Sequence, residues 1–94
     1  MNKSDLITET ALKTGMTRKD TERVLNTAFE LMTQELTSGE SVKISGFGIF
    51  SVKERMERYG RNPRTGTMMR IPAVKVVQFR PGKALRDAVG DKAE

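Results

Sequence analysis

Seven cationic side chains fall within 23 residues of this 94-residue chain: Lys53, Arg55, Arg58, Arg61, Arg64, Arg70 and Lys75, countered only by Glu54 and Glu57. Arginine dominates the set, and its planar fork suits the oxygens of a phosphate. Charge of one sign crowded into a single segment destabilises a fold by self-repulsion, so the pattern implies a counter-charge outside the chain. At the centre stands the turn-like "RNPRTG", in which Arg61 and Arg64 flank Pro63. The chemistry on offer is therefore recognition of a polyanion.

Other chemistries lack their residues. The chain has no cysteine and no histidine. Disulfides, thiolate metal sites and cysteine nucleophiles are thereby excluded, and a serine or lysine nucleophile has no imidazole base. We expect no catalytic residue, no metal, no cofactor and no small-molecule substrate. No apolar run approaches the roughly 18 residues of a membrane span, and "MNKSDLITET" carries acids where a signal peptide is greasy. A soluble, unprocessed, cytoplasmic chain without a membrane partner is expected.

The charge is sorted along the sequence. Residues 1–40 hold five bases against seven acids, whereas residues 41–83 hold ten bases against two acids. The net charge of +5 thus understates a basic middle lying between mildly acidic ends, the footprint of a polyanion-binding face.

Two helices must come first. Asn2 or Ser4 can cap a short helix with Leu6, Ile7, Ala11 and Leu12 on one side, ending at Gly15. "TRKD" at 17–20 reads as a capping box for a longer helix. Its stripe of Val24, Leu25, Ala28, Phe29, Met32 and Leu36 runs to Gly39, making a helical hairpin with an apolar seam. The period then switches to two. Val42 and Ile44 mark one strand, the glycines of "SGFGIF" turn the chain, and Phe50 and Val52 begin the next. Beyond Val52 the alternation loses its apolar member, and it becomes fully apolar again only at Val74, Val76, Val77 and Phe79. Pro72 places its segment on a strand with a free edge. "RPGKALRDAV" opens a last short helix with Pro81 and Gly82 at its start, and "GDKAE" is expected to fray.

The expected fold is α+β: a helical hairpin, a three-stranded antiparallel sheet, a long protruding β-ribbon arm and a short C-terminal helix. We divide it into a helical part at 1–39, a body at 40–52 and 76–94, and an arm at 53–75. An isolated two-stranded ribbon is marginal, so the arm is expected to be mobile until it lies on a surface. With 36% hydrophobic residues and no tryptophan, the core of one chain is thin, and a homodimer is expected.

Each feature has a structural reading beside the functional one. The arm's charges could merely protect strand edges, but one or two lysines suffice for that, and a two-stranded ribbon is slim enough to follow a DNA groove. "RNPRTG" is a turn by its local sequence, and Pro63 is equally a rigid apolar wedge at an exposed tip. Both readings stay open at this level. Gly46 and Gly48 of "SGFG" serve a tight turn or offer free amides to phosphate. Arg80, Gly82 and Lys83 make either an ordinary helix start or a phosphate clamp. Phe29, Phe47, Phe50 and Phe79 lie on apolar faces and read as core and interface, not as a stacking platform for RNA.

The order of "MNKSDLI", "GFGIFSVKERMERYGRNPRTG", "IPA" and "VVQFRPGKALRDAV" resembles the bacterial HU and integration host factor family of DNA-bending proteins over residues 1 to about 90. The resemblance implies an intertwined dimer whose two arms embrace double-stranded DNA in the minor groove, with Pro63 at the intercalating position. It also places Lys53, Arg55, Arg58, Tyr59, Arg61, Asn62, Arg64, Thr65, Arg70 and Lys75 on the DNA-binding arm. Lys3, Gly46, Gly48, Arg80, Gly82 and Lys83 match body positions that approach phosphate. Ile49 stands where asparagine is frequent in the family, and Tyr59 replaces a usual basic residue.

What the resemblance implies for function is a histone-like, nucleoid-associated protein that bends and compacts DNA with little sequence preference, including kinked, nicked or four-way DNA. Two alternatives are a sequence-directed bender of the integration host factor type and a scaffold or RNA-binding protein on the same fold.

Overall fold

The computed structural model describes residues 1–91, which fall into two compact units, one from Met1 to Glu35 and one from Leu36 onward. In the first unit, α1 (Lys3–Thr14) begins at a full capping box. The Asp5 amide donates to Asn2 Oδ1 at 2.8 Å, and the Asn2 amide donates to Asp5 Oδ2 at 3.2 Å. Asn2 is thus the cap, and Ser4 lies inside the helix. Gly15, at φ 72°, takes the left-handed conformation that closes α1.

Thr17 starts α2 (Arg18–Thr37), its hydroxyl accepting from the Asp20 amide at 3.1 Å. Arg18 ties the two helices together, donating from Nη2 to Ser4 Oγ at 2.9 Å and from Nε to Thr8 Oγ1 at 3.4 Å. Ile7, Ala11 and Thr21 are the buried residues of this unit, and the Thr21 hydroxyl is satisfied by the Thr17 carbonyl at 2.9 Å. The apolar seam is narrower than its periodicity predicts. Leu12 and Val24 are exposed and Phe29 is 41% exposed, because a helical stripe states which face is apolar and not what covers it.

The second unit carries β1 (Val42–Ile44), β2 (Gly48–Arg55), β3 (Arg58–Arg61), β4 (Met68–Ile71), β5 (Val74–Pro81) and α3 (Lys83–Val89). One antiparallel sheet has the order β1-β2-β5, and β3 pairs with β4 as a separate two-stranded ladder. Opposed residues share a face. Val42, Ile44, Phe50, Val52, Val77 and Phe79 therefore line one side of the three-stranded sheet. Phe79 anchors it, with its ring centroid 4.7 Å from that of Phe50 and 5.4 Å from that of Phe47. Phe47 and Phe79 nevertheless stay 44% and 39% exposed. Lys43, Ile49, Ser51, Lys53, Arg55, Val74, Val76, Gln78 and Arg80 occupy the opposite face.

The expected continuous ribbon is interrupted. Met56 and Glu57 on one strand face Pro72 and Ala73 on the other, and none of the four belongs to a ladder. Pro72 lies in this gap and not on the expected strand, so its missing N–H leaves no ladder bond unmade. Register survives the gap. Arg55 pairs with Val74 below it and Arg58 with Ile71 above it, with two residues on each side between.

The last helix is flanked by Gly82 as its N-cap and by Gly90, which adopts φ 89°, as its C-cap. Of the segment expected to fray, residues 92–94 lie outside the described residues.

Candidate nucleic-acid interface

The upper ladder presents two faces of different character. Tyr59, Arg61, Met68 and Arg70 share one, and Arg58, Gly60, Met69 and Ile71 share the other. Tyr59 stands directly across from Arg70, and Arg61 across from Met68. All four residues of the first face are exposed.

Asn62 builds the tip beyond this ladder. Its amide donates to the Thr67 carbonyl at 2.8 Å, and its own carbonyl accepts from the Gly66 amide at 2.7 Å. Its side-chain Oδ1 accepts from the Arg64 amide at 2.8 Å, an Asx turn around Pro63. Gly66 supplies the positive φ, 69°, that brings the chain back. The Thr65 hydroxyl donates to that of Thr67 at 2.8 Å and accepts from the Thr67 amide at 3.3 Å. Asn62 and Thr65 thus hold the loop together, while Pro63 and Arg64 are left exposed at its end. The turn and wedge readings of Pro63 are compatible: the ring is placed by a turn and covered by nothing among the described residues.

The arm's charges sort into paired and free. Arg70 grips Glu57 with both prongs, Nε to Oε1 at 2.8 Å and Nη2 to Oε2 at 3.0 Å. Lys75 lies 3.9 Å from Glu54, a loose surface pair worth little. Lys53, Arg55, Arg58, Arg61 and Arg64 are exposed and make no ion pair among the described residues. Between the two ladders an open notch of ≈ 410 Å³ is lined in part by Met56, Ala73 and Val74.

The body positions singled out in the sequence divide similarly. Gly46 supplies φ 81° in the turn between β1 and β2. Gly48 is buried where the backbone passes close to β5, and a Cβ there would stand 2.6 Å from the Arg80 carbonyl oxygen and 2.6 Å from the Phe79 ring. The Gly82 amide donates to the Phe47 carbonyl at 2.8 Å, so this donor is engaged inside the fold. Lys83 pairs with Asp87 across one helical turn at 2.7 Å. Arg80 is exposed on the basic face of the sheet, and Lys3 is exposed at the start of α1 in the other unit.

Sequence reasoning passed over Lys43, which shares the face of Lys53, Arg55 and Arg80. Its alternation with Val42 and Ile44 was the available signal. It also passed over the Glu57–Arg70 fork, which joins residues 13 apart.

Known proteins resemble this chain over most of its length. The family described as bacterial DNA-binding protein matches residues 1–90. DNA-binding protein HU of Lactococcus lactis is 51% identical, over 94% of this chain and 97% of the relative. That of Geobacillus stearothermophilus is 48% identical, over 95% and 99%. Among solved structures, an Anabaena HU–DNA cocrystal structure superposes with a TM-score of 0.85 at 42% identity, covering 95% of this chain and 97% of the other. HU from Thermotoga maritima reaches a TM-score of 0.69 at 36% identity, over 95% and 98%. A ribbon with free arginines around an exposed proline, on a scaffold that matches these proteins from end to end, leads to one conclusion: the chain belongs to the bacterial DNA-binding protein family that includes HU.

Proposed function

We propose that this chain is a homodimeric, non-enzymatic architectural protein that binds double-stranded DNA with little sequence preference, bends it and compacts it. The observation that carries the reading is the group of free cations Lys53, Arg55, Arg58, Arg61 and Arg64 on a ribbon tipped by an exposed Pro63. The arm lies along the minor groove, the arginines contact successive phosphates, and Pro63 enters between base steps as an apolar wedge. Asn62 and Thr65 hold the wedge in position through the tip's hydrogen bonds. Lys43, Lys53, Arg55 and Arg80 extend the basic surface along the sheet.

Smooth bending of a site costs on the order of 1–6 kcal/mol, which the phosphate contacts of two arms offset. The half-exposed Phe29, Phe47 and Phe79, together with Phe50, supply apolar surface for a second copy of the chain. Among the described residues no helix is long and apolar enough to cross a membrane. We assign the protein to the cytoplasm, on the nucleoid.

Replacing Pro63 with alanine tests the wedge. In a fluorescence assay of DNA end-to-end distance, Pro63→Ala is expected to abolish most of the bending while weakening binding only modestly. Bending equal to that of the wild type would return Pro63 to a turn residue. Affinity should fall steeply with salt, by about 0.9 in log-log slope for each phosphate neutralised, and random and selected duplexes should compete equally. A flat salt response would remove the electrostatic basis of the reading.

A further inference from the structure

Glu57 occupies the unladdered gap, and Arg70 is the second residue beyond Pro72 on the facing strand. Their contact is the closest charge pair of the arm, with both Arg70 donors within 3.0 Å of the carboxylate, against 3.9 Å for Lys75 and Glu54. Both side chains remain in solvent, Arg70 at 64% and Glu57 at 41% exposure. Ladder register places Arg70 opposite Tyr59, on the face that also carries Arg61.

A phosphate and a carboxylate engage guanidinium in the same two-pronged way. The Nε and Nη2 edge of Arg70 that would grip a DNA phosphate is therefore already filled. We propose that Glu57 is a built-in competitor with DNA for Arg70, so that this acid sets the affinity of the arm. On this account, which rests on the function proposed above, the free protein holds Arg70 on Glu57, and docking exchanges that pair for a phosphate. The exchange leaves a carboxylate beside the polyanion, which weakens binding further. In the free arm the same pair lowers the repulsion among Arg58, Arg61 and Arg64 and ties the two strands where backbone pairing is interrupted.

The test is a cycle of four full-length proteins, wild type, Glu57→Gln, Arg70→Gln and the double variant, titrated onto one random-sequence duplex at several salt concentrations. Glu57→Gln is expected to bind more tightly than the wild type. Arg70→Gln is expected to cost about two- to fivefold more affinity in the Glu57→Gln background than in the wild type, the range corresponding to a surface ion pair present only in the free state. Equal cost in the two backgrounds, or a larger cost when Glu57 is present, overturns the proposal.

A second measurement needs no variant. Adding duplex to the wild type should shift the Glu57 side-chain carboxyl carbon resonance as its partner leaves, and an unchanged resonance overturns the exchange. A wild type that fails to bind duplex sinks the proposed function itself, whereas tight binding with an additive cycle sinks only the competition.

Discussion

The two ladders of the β-ribbon share one register and little else. Below the gap, β2 and β5 pair Phe50 with Phe79 and Val52 with Val77, and β1 covers the outer edge of β2. Above it, β3 and β4 pair Arg58 with Ile71 and Tyr59 with Arg70, and no third strand joins them among the described residues. Cross-strand apolar contacts stabilise the lower ladder, ring against ring. The upper ladder has a surface ion pair and the Asn62 turn, and a lone two-stranded ribbon is marginal in water. Identical backbone pairing therefore supports opposite assignments. One half uses its side chains on the protein, and the other leaves most of them in solvent.

Excising the upper half should have the largest effect. Joining Arg55 to Val74, which already face one another, through an Asn-Gly turn removes Arg58, Arg61, Arg64 and Arg70. Affinity for duplex DNA should fall about a thousandfold at low salt, with folding stability held within about 1 kcal/mol. Chemical denaturation and a DNA titration on the same sample check both halves of that statement. A large loss of stability would erase the distinction between the ladders.

In the lower half, Phe79→Ala removes both ring contacts and should cost about 2–3 kcal/mol in denaturant unfolding, discounted from a fully buried phenylalanine because Phe79 is partly exposed.

Two glycines give the finest comparison. Gly48→Ala pushes a methyl group against the Arg80 backbone oxygen, which cannot rotate away, and should cost about 1–3 kcal/mol. At Gly60 the new Cβ meets only the Ile71 side chain, Cδ1 at 3.0 Å and Cγ1 at 3.8 Å, and the closer atom is the far end that can turn aside. Gly60→Ala should change stability by less than about 0.5 kcal/mol. Equal costs at the two glycines would mean that the ladders are packed alike.

How much of this was legible depended on how local each signal is. The caps at Asn2, Thr17 and Gly15 and the change of period after Gly39 are written within a few residues of where they act, and the structure follows them. The gap was not legible, because it depends on what stands across from Pro72. The arm's cations could be named from residue type alone, yet which of them are free required the register that brings Glu57 to Arg70. The α2 stripe shows the limit from the other side: Val24 and Phe29 were correctly marked apolar, and their exposure reflects what a single chain leaves uncovered.

The gap removes two residues from each strand and so preserves the pairing beyond it. Because side chains alternate with a period of two, a single extra residue on one strand would turn every arginine above it to the other face. The length of this arm is consequently quantised. It can grow or shrink only by matched pairs of residues on both strands, each step changing its reach by about 7 Å while the orientation of Pro63 is retained.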